Sequence, residues 1–185
     1  MRSYRWRAFM DHEKEEDWLN DLAARGFAFA DLALFRYSFE DCEPGEYTYR
    51  IELLNDLPMH PESQRYLGFM AENGVEHVAS YFRWVYLRRK TAEGSFELFS
   101  DIDSRIAHYK RIALVWLVMT FVEMCFLLSQ IPRGIGYLSA GAHGGSSADV
   151  FICLLFIVFF VLFLRAWVLV RLKIKKLNLE RSLRE

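Results

Sequence analysis

The sequence predicts an α+β domain over residues 1–100 followed by a two-helix transmembrane hairpin, and three observations predict it. Charge divides along the chain: residues 1–100 carry 12 Lys+Arg against 18 Asp+Glu, whereas residues 101–185 carry 11 against 6. The basic half is also the apolar half, with most of its charges flanking two apolar runs, the first interrupted by Thr120, Glu123, Ser129 and Gln130 and the second only by Arg165. That is the pattern of membrane spans, not of a nucleic-acid surface. The first hundred residues alternate between period-two and helical patterns, as an α+β domain requires.

Arg2 to Phe9 alternates as a first strand, with Tyr4, Trp6 and Ala8 on one side. Asp11 is a suitable N-cap, and Glu13, Glu15 and Glu16 fall in the first turns, where the helix dipole favours anions. Trp18, Leu19, Leu22 and Ala23 form the apolar face, and Gly26 suits the C-terminal turn. Phe27 to Phe39 and Tyr47 to Leu53 read as two strands of one hairpin about Pro44-Gly45. Its tip carries Glu40, Asp41, Glu43 and Glu46, whose spacing matches no calcium loop and which reads as a solvated tip. A second helix spans Pro61 to Asn73 and ends at Gly74. Val75 to Lys90 reads as one long strand, and Phe96 to Phe99 as a short final one after a turn at Glu93-Gly94. The order β-α-β-β-α-β is that of a ferredoxin-like split βαβ sandwich.

One sheet face then carries several aromatics, which are either consumed in the core or offered as a dimer surface or small-molecule pocket. Sheets of this topology that bind RNA use such residues for stacking, but the domain is net acidic and lacks the basic-aromatic motif, so no direct nucleic-acid contact is expected. His12, His60 and His77 are dispersed, and no nucleophile or acid–base constellation is visible, so the expectation is a protein that is not an enzyme. Cys42, Cys125 and Cys153 have neither metal-site nor disulfide spacing. No metal or cofactor is therefore expected. The three arginines of Met1 to Met10 precede no apolar run, so a signal peptide is not expected either.

The apolar runs cover Ile112 to Ile131 and Val150 to Val170. Each is about 20 residues, the length that crosses a hydrocarbon core of about 30 Å. Lys110 and Arg111 precede the first, while Arg171, Lys173, Lys175 and Lys176 follow the second. The connecting segment, residues 132–149, is Gly-rich and offers only Arg133. By the positive-inside rule both termini face the cytoplasm, residues 132–149 form an extracytoplasmic loop, and residues 172–185 form a basic cytosolic tail. Two charges lie inside the spans. Glu123 sits roughly 17 Å past Ile112, near the bilayer centre, and Arg165 about 9 Å from the cytoplasmic edge. Arg165 can snorkel, so Glu123 either pairs with it, contacts a second copy of the chain, or is protonated and hydrogen-bonded between helices.

Ser100 and Asp103 form an S-x-x-D start, and no Pro or Gly follows before Pro132. Residues 101–111 are expected to be a helical junction running from the domain straight into the first span.

The stretches DHEKEEDWLNDLAARG, PGEYTYRIELL, SYFRWVYLRRK and FELFSDIDSRIAHYKRI together resemble a bacterial membrane family, domain of unknown function 2812. The resemblance covers roughly residues 1–111, and the two spans match the family's layout. It implies a two-pass protein of the bacterial cell membrane and brings no functional residues. It also implies partnership with small winged-helix repressors of the phenolic-acid-decarboxylase-regulator type, hence a regulatory role. The expected function is a membrane-anchored sensor or protein-interaction module, with the bilayer, a protein partner and self-association as its contacts. The alternative is a structural accessory subunit of a larger membrane protein such as a transporter.

Overall fold

A computed structural model describes residues 2–99, 101–139 and 147–183. The chain is α+β: two small antiparallel sheets come first and two long apolar helices last. Its elements are β1 (Ser3–Trp6), α1 (His12–Ala23), β2 (Phe27–Ala33), β3 (Arg36–Asp41), β4 (Tyr47–Leu53), α2 (Pro61–Glu72), β5 (Glu76–Tyr81), β6 (Trp84–Lys90), α3 (Ile102–Ser139) and α4 (Ser147–Ser182). Residues 1–104 form one compact unit and residues 105–185 another.

The ferredoxin-like order is replaced by β-α-β-β repeated twice. The sheets run β1-β3-β2 and β4-β6-β5, so the third strand of each repeat lies in the middle. Phe27 to Phe39 is not one strand but the hairpin β2–β3, and Val75 to Lys90 is the hairpin β5–β6. Conversely β3 and β4, expected to pair, belong to different sheets. Phe96 to Phe99 forms no strand; Phe96 instead buries its ring with Leu54, Leu67, Val75, Val85 and Leu87.

The two halves share their local devices. The amides of Gly26 and Gly74 bond back to Ala23 and Ala71, each glycine at a positive φ that a side chain would strain. A register shift follows at Ala30 in β2 and at Val78 in β5. The same interval separates Leu34 from Phe82, which open the two-residue hairpin tips at φ 57 and φ 56. The entering chain is tied alike in both: Arg7 N–H donates to Phe35 O at 3.0 Å and Leu54 N–H to Arg83 O at 2.9 Å.

β2 packs beside β5, and the main core spans both sheets there. Leu19, Leu22 and Ala23 of α1 lie on Phe29, Tyr37 and Phe39 of the first sheet and on Tyr49, Ile51 and Tyr86 of the second. β6 is buried on both faces, Tyr86 toward this core and Val85 and Leu87 toward the smaller one beneath α2. Its near-continuous apolar run, VYL, follows from that double burial. β4 is an edge strand, and α1 closes it with side chains. Asn20 accepts from Tyr49 N–H at 2.7 Å and donates to Tyr49 O at 3.1 Å, while Glu16 accepts from Ile51 N–H at 2.9 Å. The backbone groups a further strand would have paired are thereby satisfied.

α3 is continuous for 38 residues; the absence of helix breakers before Pro132 predicts it only as far as Ile131. Its start differs from the expected cap. Asp101 is the capping residue, its carboxylate accepting from Ser104 N–H at 2.6 Å and from the Ser104 hydroxyl at 2.9 Å. Those bonds hold the Asp101 carboxyl below its usual range. Asp103 lies in the first turn, and Ser100 falls outside the described residues. The expected loop over 132–149 is shorter than its glycines suggest: α3 continues through Pro132 to Ser139, and α4 is already helical at Ser147. Proline inside a long apolar helix is tolerated where neighbouring groups re-satisfy the freed carbonyl.

Both helices are long and apolar enough to cross a membrane, over Ile102–Ile131 and Phe151–Ser182. Only 17% and 6% of their most apolar windows are buried inside the chain, unlike the core helix of a water-soluble domain.

Candidate functional site

Four of the acidic residues of α1 follow the helix N-terminus, and the dipole accounts for those that face water. Glu15 is different. It stands one turn before Leu19 and two before Leu22, on the buried stripe of the helix, and is only 8% exposed. Its Oε1 accepts a hydrogen bond of 2.5 Å from the Tyr37 hydroxyl and one of 2.6 Å from the Tyr86 hydroxyl. Tyr37 comes from β3 and Tyr86 from β6, so one carboxylate oxygen joins the central strands of the two sheets. Loss of water raises the Glu15 carboxyl above its usual range, and the two hydroxyls offset only part of that. Both phenols are pushed well up, first by burial and then by the carboxylate they face.

Aromatic rings enclose this centre. Trp18 meets Tyr37 edge-on at 5.0 Å between centroids, and Phe9 closes the triangle at 5.3 Å from Trp18 and 6.3 Å from Tyr37. On the other side Phe29 lies 5.9 Å from Tyr37 and 5.3 Å from Tyr86. Phe9 belongs to the segment between β1 and α1, which has no regular structure. The same segment places the Arg7 guanidinium 4.8 Å from the Phe9 ring centre and 5.3 Å from that of Trp18, within cation–π range of both. Next to Glu15 in sequence, Glu16 faces β4, ion-paired with Arg50 at 3.1 Å. Burial pushes its carboxyl up to about 7, against the opposing pull of Ile51 N–H and Arg50.

A cavity of about 290 Å³ lies elsewhere, between the end of α2 and the start of β5, lined by Tyr47, Gly74, Arg89 and Glu93 among others. Its principal charges already satisfy each other, Arg89 pairing with Glu93 at 3.2 Å. Among the described residues no group of three or more His, Cys, Asp or Glu side chains is placed to hold a metal ion.

In the helix pair, ring contacts fix an antiparallel register. Trp116 lies 5.8 Å from Phe163, Phe126 stacks on Phe156 at 3.7 Å, and Lys173 sits over Tyr109 at 5.9 Å. Lys110 and Arg111 of α3 therefore share one end of the pair with Arg171, Lys173, Lys175 and Lys176 of α4. Glu123 and Arg165 are not brought together: by this register their levels differ by roughly 10 Å at the helical rise. Arg165 is exposed, and Glu123 is half-buried with its Oε2 shielded and without a hydrogen bond among the described residues.

Sequence reasoning missed the Glu15 centre because dipole physics already explained an acidic first turn. The signal that locates it is positional, a carboxylate on the apolar stripe of its own helix. The aromatics expected on a sheet face are largely spent in the core, with Phe29, Tyr37, Phe39, Tyr49 and Tyr86 all buried.

The chain thus falls among α+β domains carried ahead of a pair of helices long and apolar enough to span a bilayer. It belongs to the protein family of unknown function DUF2812, whose model matches residues 11–121. The matched stretch includes Glu15, Tyr37 and Tyr86 and ends within the first apolar helix. No curated protein and no solved structure matches the chain.

Proposed function

We propose that this protein is a two-pass membrane sensor of the cell membrane, with both termini in the cytoplasm and an N-terminal domain that binds a small molecule. The observation that carries this reading is the Glu15 carboxylate, buried where the two sheets meet and held by one hydroxyl from each. A buried acid of raised affinity for protons, set among aromatic rings, is costly to folding and is the kind of group that binding sites retain. It is also placed to act on both halves of the domain at once. The topology rests on the basic residues gathered at one end of the helix pair. α3 follows the N-terminal domain and is unbroken, so a ligand-dependent change in the domain would have a covalent route toward the bilayer, and a regulatory protein partner in the cytoplasm would read the same change. Any such ligand acts only through different affinity for two states of the domain.

The test is thermal unfolding of the full chain in lipid nanodiscs against a panel of cationic, anionic and neutral small molecules. A compound that raises the midpoint of the wild type but not of Glu15→Gln supports the reading. A panel without effect, or equal stabilisation of both proteins, overturns it.

A second reading, an accessory subunit of a larger membrane protein, is favoured by Glu123. A shielded carboxylate oxygen at mid-span, without a partner among the described residues, is a hydrogen-bonding group that a neighbouring transmembrane helix could satisfy.

A further inference from the structure

The Glu15 centre has a floor, walls and an occupant of recognisable chemistry. The floor is a carboxylate whose described hydrogen-bond partners are two neutral hydroxyls rather than a basic side chain. The walls, Phe9, Trp18 and Tyr37, are aromatic faces and edges. The occupant at the outer rings is the guanidinium of Arg7, itself exposed, which lies over Phe9 and Trp18 and makes no ion pair among the described residues. Aromatic rings backed by a buried anion select a positive charge carried on an apolar body: the rings replace its hydration, and the carboxylate supplies the counter-charge. An anion would meet like charge, and a neutral guest would gain nothing from the carboxylate's charge.

We infer that the domain binds an organic cation, an ammonium or guanidinium compound with an aryl or alkyl body, between the Phe9–Trp18–Tyr37 rings and Glu15, and that Arg7 is an internal stand-in which such a ligand displaces. This rests on the reading of the domain as a small-molecule sensor and names the ligand class. The Arg7–Met10 segment beside these rings is irregular, with Arg7 and Met10 exposed and Phe9 half-buried, and it is the part of the site whose movement would admit a guest. Displacement of Arg7 also frees the segment that links β1 to α1, which gives binding a structural output.

The probe is benzyltrimethylammonium, with benzoate and benzyl alcohol as anionic and neutral controls of similar shape. Binding to the full chain in nanodiscs is measured calorimetrically, with empty nanodiscs as the blank for lipid partitioning. The expected result is binding of the cation in preference to both controls, weakened at least tenfold in Glu15→Gln and tightened several-fold in Arg7→Ala. Tyr37→Phe, which keeps the ring and removes one hydroxyl from the carboxylate, is expected to retain binding and shows that the loss in Glu15→Gln is one of charge. Binding of a control but not of the cation overturns the ligand class and leaves the sensor reading standing. Equal cation binding by wild type and Glu15→Gln overturns the site. Absence of binding by wild type and Arg7→Ala alike, for all three probes, overturns both.

Discussion

The two halves of the N-terminal domain have the same backbone plan and different interiors. Both run strand, helix, hairpin, with the middle place in each sheet taken by the last strand. In the first half the helix contributes the polar groups and the strands answer: Glu15, Glu16 and Asn20 of α1 bond to Tyr37, Tyr86, Ile51 and Tyr49. At the same interval that separates Gly26 from Gly74, Ser63, Gln64 and Gly68 of α2 stand at those places, and the polarity is reversed. There the strand supplies the acid, Glu52 of β4, and the helix supplies the hydroxyl, Tyr66, at 2.7 Å. α1 therefore binds the second sheet as firmly as its own, while α2 contacts mainly β5. One plan has yielded a helix that locks the domain together and a helix that covers a smaller core. The carboxyls that burial raises, Glu15 and Glu16, collect on the first.

The largest expected contrast comes from the cores themselves. Leu19→Ala removes a fully buried side chain from the cluster shared by both sheets and is expected to cost about 4 kcal/mol, against about 2 kcal/mol for Leu67→Ala under α2. Chemical denaturation of the full chain checks this, and equal losses would mean that α1 holds the halves no more tightly than α2 does.

Next in size is a dependence on pH that only the first half should show. Glu16 is raised to about 7 from an unfolded value of 4.5. Between those values the folded state holds a proton that the unfolded chain has released. Stability is thus greatest below the unfolded value and falls as pH rises through about 7, by about 3 kcal/mol in total. Glu15, raised by the same burial, acts in the same direction. Melting at about pH 5 and about pH 8 is expected to show a clear decline for the wild type and a shallower one for Glu16→Gln, which places at this site the residue that α2 already has. An unchanged slope would clear Glu16 of the effect.

The smallest contrast is one that should vanish. Leu34 and Phe82 hold the same left-handed conformation at the same place in the two hairpins, and both side chains are exposed, 63% and 72%. Leu34→Asn and Phe82→Asn should each stabilise by about 1 kcal/mol, since asparagine accepts that backbone at less cost and little packing is lost. A difference between the two in thermal midpoint would mark one tip as having contacts of its own.

Those tips also explain what was hidden in the sequence. Hairpin turns announce themselves through Gly, Asn or Asp, and here they are Leu34-Phe35 and Phe82-Arg83, set among strand-forming residues. Two strands and a turn then read as one long strand, and a repeated β-α-β-β unit reads as a split βαβ fold. α1, α2 and the apolar spans were legible because their signals are long and periodic. Asp101 was not, because the neighbouring Ser100 and Asp103 offered an equally good capping pattern. The Glu15 centre needed tertiary structure: Tyr37 and Tyr86 lie far apart in the chain, and only the packing of β2 beside β5 brings their hydroxyls to one oxygen.

That packing of β2 beside β5 makes the two halves interdependent. Each half ends its sheet with the strand that meets the other half, so a polypeptide of half the length would leave that strand open to water and to copies of itself. Each half thus shields an edge of the other. Because both lie in one chain they need not carry the same residues, and where the first helix holds the buried acid Glu15 the second holds Ser63.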